Sequence, residues 1–290
     1  MLRLATWNIE FFDRLFNRDN TLKSDAESRT RLEAVAAVLR AVEADLIGVT
    51  EGPNTGGNQS TVTKLEAFAD AFNLSTRKAL TGFTSRGVQE IALLYNDDKI
   101  AAEHKPGGAG VNNPPFNREF RVDSDEDRIK EVYAHFRPPL EAEVTVRASG
   151  ESFCLIVAHI KSKGIFSNMD RLNWERASRR NRLKIFAEAL SVRQRVDEFL
   201  GDGREVVVMG DINDGPGFDF YEFMFGKSGV ELIMGDFFEP DRILRNYVGR
   251  PKMNDFGFTP SSARFRDSFT GDFVNVLIDH ILASPGLPTQ

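Results

Sequence analysis

The stretch Val206-Val207-Val208-Met209-Gly210-Asp211-Ile212-Asn213, running on into Asp214-Gly215-Pro216-Gly217, decides how this chain is read. Four apolar residues bounded by a glycine-rich turn predict a strand buried on both faces, and such strands belong to layered α/β structures. If extended backbone continues past Gly210, alternation aims Asp211 and Asn213 the same way and turns Ile212 into the core. A carboxylate and a carboxamide at the mouth of a buried strand suit a hard cation or an activated water. An Asx turn capping the strand accounts for the same residues without any chemistry. The tetrapeptide alone leaves both readings open.

Upstream of this strand, Ile185, Ala189, Val192, Val196 and Phe199 mark the buried stripe of a long helix that Gly201 and Gly203 end. Strands over 140–146 and 153–160 are joined by the turn Ser149-Gly150, a hairpin signal. Nearer the N-terminus, an alternating strand over 2–7 precedes a helix carrying Leu32, Val35, Leu39 and Val42, with Asp25 or Ser24 at its N-cap. That helix runs into a strand at 45–49. A helix over 61–72 and a strand over 91–95 follow. Residues 105–116 hold Pro106, Gly107, Gly108, Gly110, Pro114 and Pro115, a composition that predicts a mobile surface loop. Hairpins mixed with helix–strand alternation predict an α/β fold with mixed sheets rather than a purely parallel wound sheet.

A chain of 290 residues with 41% hydrophobic and 28% charged composition suits one ordinary globular domain, with two possible but not required. Its net charge of -6 argues against a protein that grips nucleic acid by bulk positive field; nucleic acid here is substrate, handled locally. The single cysteine, Cys154, excludes an internal disulfide framework and a thiolate zinc site, and its apolar neighbours make it core filling. Met1 leads directly into a strand, with no signal-peptide pattern and no membrane-spanning run, so the expected location is cytosolic. Nothing in the sequence demands a membrane or an obligate protein partner.

Polar residues recur at predicted strand ends: Asn8, Glu51, His159, Asp211 with Asn213, and Asp279. Any one of them reads equally as a solvated or capping residue. Five strand ends together point to a site. Its oxygen-rich character suits Mg²⁺ or Mn²⁺, and four histidines with one cysteine leave little for zinc.

With these residues in place the chain resembles the endonuclease/exonuclease/phosphatase superfamily over nearly its whole length, from Leu2 to about Leu287. The resemblance rests on an ordered set: Thr-Trp-Asn-Ile-Glu at 6–10, Ile-Gly-Val-Thr-Glu at 47–51, Ala-Leu-Leu-Tyr at 92–95, Arg-Pro-Pro-Leu at 137–140, Ala-His-Ile-Lys-Ser-Lys-Gly at 158–164, Gly-Asp-Ile-Asn at 210–213 and Ile-Asp-His-Ile-Leu-Ala-Ser-Pro-Gly-Leu at 278–287. The Arg-Pro-Pro-Leu and His-Ile-Lys-Ser-Lys-Gly pieces look most like the bacterial nuclease branch, whose members are often secreted.

The resemblance implies a four-layer α/β sandwich, with two mixed sheets packed face to face and helices outside. It implies Glu51 as principal metal ligand, with Asn8 and Asp279 beside it, and Asn8 also orienting water or phosphate. Asp211 would activate the attacking water and Asn213 would hold it. His159 would stabilise charge on the phosphoryl oxygens and Arg137 would clamp the same group with its planar fork. In-line displacement at a phosphodiester needs a nucleophilic water, neutralised equatorial oxygens and a stabilised leaving group, which this set supplies. Without the resemblance, Arg137 reads as one half of a surface ion pair and His159 as a satisfied core histidine.

The expected function is metal-dependent phosphodiester hydrolysis acting on DNA or RNA. A phosphatase or phospholipid phosphodiesterase of the same superfamily is the rival, and a non-catalytic binding scaffold is a further one. The pattern departs from the family at its end. Members close with a Ser-Asp-His strand, whereas Asp279-His280 matches an earlier segment of the family. On that reading the single domain over 1–290 lacks its final strand as the sequence stands, through an omitted tail or a disabled enzyme; in the other reading His280 is the general base. Finally, residues 161–184 gather Lys161, Lys163, Arg171, Arg176, Arg179, Arg180, Arg182 and Lys184 against Asp170 and Glu175. They read either as a solvated helix face or as a substrate-steering surface in which Lys161, Lys163, Arg179 and Arg180, with Trp174, hold a polyanionic backbone.

Overall fold

Parallel pairing at the N-terminus sets the architecture: β1 (Leu4–Asn8) lies beside β2 (Leu46–Gly52), with Leu4 opposite Leu46 and Asn8 opposite Thr50. Parallel neighbours need a crossover, and α1 (Ala26–Val42) supplies it. Asp25 caps this helix by accepting from the Ser28 amide, a contact that contributes about 1 kcal/mol. The structure is a computed structural model that describes residues 2–108, 113–124, 127–165, 170–215, 226–247, 260–266 and 271–287. Then follow α2 (Thr61–Ala71), β3 (Lys78–Thr81), β4 (Glu90–Tyr95), β5 (Ile100–His104), β6 (Phe120–Val122), β7 (Glu131–Tyr133), β8 (Leu140–Val146) and β9 (Ser152–His159). The remaining elements are α3 (Arg171–Gly201), β10 (Val206–Asp211), α4 (Gly229–Met234), β11 (Arg245–Asn246), β12 (Ala263–Arg266), β13 (Phe273–Val276) and β14 (Asp279–Ala283).

One mixed sheet has the order β1-β2-β4-β3 and the other β11-β14-β10-β9-β8-β5. This is the α/β class with two large mixed sheets and helices that the sequence predicted. The chain divides into two compact units, Met1–Pro106 with Phe136–His159 and Val208–Gly210, and Gly107–His135 with Ile160–Val207 and Asp211–Gln290.

In the first unit, α1 and α2 lay Leu32, Val35, Leu39, Leu65 and Phe68 on Val49 and Leu94 of the four-stranded sheet. Each such side chain contributes roughly 1.5–3 kcal/mol by leaving water. The opposite face of β2 meets β9 and β10. A Cβ on Gly48 would stand 2.9 Å from Met209 Cε and 3.2 Å from a Val157 methyl, so glycine sets how closely the sheets approach there. Gly210 is under a harder constraint: its φ is +134°, and a Cβ would fall 2.0 Å from the Ala158 carbonyl oxygen. Cys154 is buried, as core filling requires.

In the second unit, α3 buries the predicted stripe of Ile185, Ala189, Val192, Val196 and Phe199. It also buries Arg193 and Arg195, which periodicity did not mark. Arg193 donates to the Ile233, Met234 and Arg242 carbonyls, satisfying the C-terminal end of α4. Arg195 pairs with Glu198 at 3.0 Å, donates to the Pro114 carbonyl at 3.1 Å and lies over the Phe116 ring. Glu198 in turn accepts from the Gly108 amide and from Asn113.

These contacts correct the expectation of a mobile surface loop over 105–116. Gly107, Gly108, Asn113, Pro114 and Phe116 are packed on α3, because a buried guanidinium needs the loop's carbonyls, whereas Lys105 and Pro106 are exposed; residues 109–112, including Gly110, lie outside the described residues. The apolar run around Asp279 is split between two strands, β13 and β14, broken at Leu277 and Ile278, so Asp279 stands at the start of β14. Among the described residues no helix is long and apolar enough to cross a membrane.

Candidate active site

In the second unit β10 and β14 are sheet neighbours, and the Ile212 amide donates to the Ile278 carbonyl at 2.8 Å. That bond brings Asp211, at the end of β10, beside Asp279, at the start of β14. Asp279 Oδ1 is buried with no hydrogen-bond partner. Its amide is held by Ser262 Oγ at 3.0 Å, which also accepts from the Ile278 amide. Burial pushes the Asp279 carboxyl up to about 7; the Asp211 charge adds to this and the Ser262 hydroxyl opposes it.

Past Asp211 the extended backbone stops. Asn213 has φ +53°, its amide donates to Asp211 Oδ1 at 2.9 Å, and its side-chain nitrogen donates to the Ile160 carbonyl at 2.9 Å. The Asx turn is therefore present, and the simple alternation expected of Asp211 and Asn213 is not. The turn holds the Asp211 carboxylate in place at the end of β10. The end of the opening stretch, Pro216 and Gly217, lies outside the described residues.

His280 is buried behind this pair. Its Nε2 donates to the Asp214 carbonyl at 3.0 Å while Nδ1 takes the Asn246 side-chain amide at 3.0 Å, so neither nitrogen is left for a substrate. Burial also holds its pKa below the ordinary histidine range. Asp214, 1% exposed, binds Lys163 Nζ at 2.6 Å and accepts from the Gly229 amide at the start of α4. Lys161 Nζ donates to the Ser162 carbonyl. Farther along α3, Arg171 pairs with Glu175 and Lys184 with Glu188, whereas Arg179 and Arg180 are exposed and make no ion pair among the described residues. The basic stretch is thus half structural and half open surface; residues 166–169 lie outside the described residues.

In the first unit, Asn8 ends β1 and His159 ends β9. Glu51 sits in β2 at an irregularity of register between Val49 and Gly52, with φ +55°. A non-glycine residue held there costs about 1–3 kcal/mol and is characteristic of functional positions. Its Oε2 accepts from the Phe11 amide at 3.1 Å. His159 is 6% exposed, and burial together with the Arg137 charge puts its pKa well below the usual histidine value. The imidazole is neutral at pH 7. Arg137 donates Nη1 to Gln89 Oε1 at 2.5 Å. Gln89 was not marked by sequence: it lies in a loop and its φ of +71° has no sequence signature.

A buried carboxylate oxygen without a donor, next to a second carboxylate, is what a cation would relieve, so Asp279 fits a hard-metal ligand. Among the described residues no three His, Cys, Asp or Glu side chains form a metal-holding group.

The chain belongs to the Endonuclease/Exonuclease/phosphatase family, whose model matches residues 5–290. Members of that family are hydrolytic phosphoesterases that generally use divalent metal ions. Among solved structures, an endonuclease/exonuclease/phosphatase family protein from Bacteroides thetaiotaomicron is 16% identical with a TM-score of 0.52, covering 98% of this chain and 81% of that one. ANGEL2, a 2',3'-cyclic phosphatase, is 10% identical with a TM-score of 0.53, covering 98% and 83%. Truncated Caenorhabditis elegans TDP2 is 14% identical with a TM-score of 0.50, covering 99% and 85%. At these identities the likeness shows the fold. No curated protein matches the sequence.

Proposed function

We propose that the protein is a Mg²⁺- or Mn²⁺-dependent phosphodiesterase that cleaves DNA or RNA. The observation that carries this reading is the Asp211–Asp279 pair, with a buried, unpartnered Asp279 oxygen at adjacent strand ends. Asp211, fixed by its Asx turn, orients the attacking water and takes its proton. Asn213 helps to hold the water, and neutral His159 donates a hydrogen bond to a phosphoryl oxygen as charge builds there. Arg137 meets the same oxygens with its planar fork. Glu51 and Asn8 of the first unit, and Asp279 of the second, are each proposed as residues able to hold a divalent cation, which would supply charge neutralisation for the phosphoryl and leaving oxygens.

The exposed pair Arg179 and Arg180 supports a polymeric, polyanionic substrate. Cytosolic location and action without a membrane or protein partner complete the proposal.

Incubation with single- and double-stranded DNA, RNA, a chromogenic phosphodiester and inositol or lipid phosphates, in Mg²⁺, Mn²⁺ or chelator, tests it. Cleavage of nucleic acid that chelator abolishes is expected. Turnover confined to phosphomonoesters or lipid phosphates would replace the nuclease reading with the phosphatase or lipid one, and no turnover of any substrate would end the enzyme reading.

A further inference from the structure

We propose that Gln89 and Asn54 are positioning residues that hold the Arg137 guanidinium for its phosphate. Arg137 Nη1 donates to Gln89 Oε1 at 2.5 Å. An amide oxygen at the end of a flexible side chain fixes a guanidinium only if its own backbone is fixed, and here it is held from several sides. The Gln89 amide donates to Asn54 Oδ1 at 2.8 Å. Asn54 is itself clamped by Asp13, whose Oδ1 accepts from the Asn54 amide at 2.8 Å and whose Oδ2 accepts from its side-chain nitrogen at 2.9 Å. Lys64, 0% exposed, closes the network through Asp13 Oδ1 at 2.8 Å and Gln59 Oε1 at 2.7 Å.

The loop that carries Gln89 is also closed on itself. The Ser85 amide donates to Glu90 Oε2 at 2.8 Å, the Ser85 hydroxyl donates to the Gln89 carbonyl at 3.3 Å, and the Arg86 amide donates to the Phe136 carbonyl next to Arg137. A residue with φ +71° keeps that conformation because these bonds over-determine it. The chain from buried Lys64 to Arg137 therefore transmits the rigidity of the first unit's core to one guanidinium. A 1 Å misplacement of such a group is enough to slow a reaction that depends on its alignment.

The inference rests on the proposed role of Arg137, and the experiment separates the two. Steady-state hydrolysis of a chromogenic phosphodiester in Mg²⁺ is compared for the full chain, Arg137→Ala, Gln89→Met, Gln89→Glu and the double variant, each with its thermal midpoint. Gln89→Met is expected to lower kcat about tenfold, the scale of one lost charge-assisted hydrogen bond, with KM and midpoint nearly unchanged. Gln89→Glu keeps an acceptor oxygen and is expected to restore most of kcat. The double variant should match Arg137→Ala alone, because Gln89 acts only through that side chain. If Gln89→Met does not fold, Gln89→Asn, which withdraws the same amide by one methylene, takes its place. Full activity in the Gln89 variant beside a crippled Arg137→Ala overturns the positioning role, as does a further tenfold loss in the double variant. An Arg137→Ala protein with undiminished activity overturns the role of Arg137 itself.

Discussion

Asp211 and Asp279 meet because the Ile212 amide bonds the Ile278 carbonyl, bringing the end of one strand beside the start of its neighbour 68 positions later in the chain. Two carboxylates placed side by side, one with an unpartnered buried oxygen, are an arrangement that stability alone would select against. Their expected consequences can be measured separately on folding and on turnover.

Replacing Asp279 with Asn should remove the like-charge repulsion while keeping the shape. In chelator at pH 8 the Asp279→Asn protein is expected to melt at a higher temperature than the unaltered chain, and phosphodiester turnover in Mg²⁺ should fall on the order of a hundredfold or more. Differential scanning calorimetry and initial rates read the two effects. A variant that is less stable and fully active would contradict both.

The unaltered chain should lose stability as pH rises. The sign follows from Asp279: its folded carboxyl titrates near 7 against an ordinary value of 3.8, so between those values the folded state holds more proton than the unfolded state. Its contribution is full below about 4 and is lost as pH rises through 7. Urea midpoints in chelator between pH 5 and pH 8 should decline, and the slope should be shallower in Asp279→Asn.

Charge reversal at Arg179 and Arg180 should act on long substrates alone. Both side chains are exposed on α3, so the fold should tolerate Glu at each. Binding of a long single strand at low salt is expected to weaken about tenfold or more for two reversed phosphate contacts, with a shallower salt dependence. Hydrolysis of a small chromogenic diester should be unchanged; equal loss on both substrates would exclude steering.

Gly210→Ala should be among the most damaging single-methyl additions in the protein. The added carbon meets the Ala158 carbonyl oxygen at 2.0 Å, and backbone atoms on paired strands cannot step aside. With the positive φ this should cost more than about 3 kcal/mol, readable as a lowered urea midpoint at constant m-value.

Much of the frame was legible in residue order. Ile185, Ala189, Val192, Val196 and Phe199 fall on one helical face wherever they occur, because 3.6 residues per turn is a local property. Gly201, Gly203 and the Ser149-Gly150 turn marked boundaries for the same local reason. The strand ends carrying Asn8, His159 and Asp211 followed from where apolar runs stop.

Arg195 shows what local pattern misses. It sits on the buried side of α3 because distant carbonyls at Asn113 and Pro114 satisfy it, and no periodicity announces a partner 81 residues away. His280 is similar: adjacency to Asp279 in sequence suggested a catalytic pair, yet it turns to Asn246 and the Asp214 carbonyl.

The sequence by itself determined the α/β class, the family and the residue types able to do chemistry at strand mouths, because periodicity, glycine spacing and motif order are written along the chain. Only the tertiary structure decided the state of those residues. The raised Asp279 carboxyl, the neutral His159 beside Arg137 and the hold of Gln89 on that arginine all depend on what lies within a few ångströms. Burial and charge act through space, and partners brought together by strand pairing and loop closure can be 48 residues apart, as Gln89 and Arg137 are.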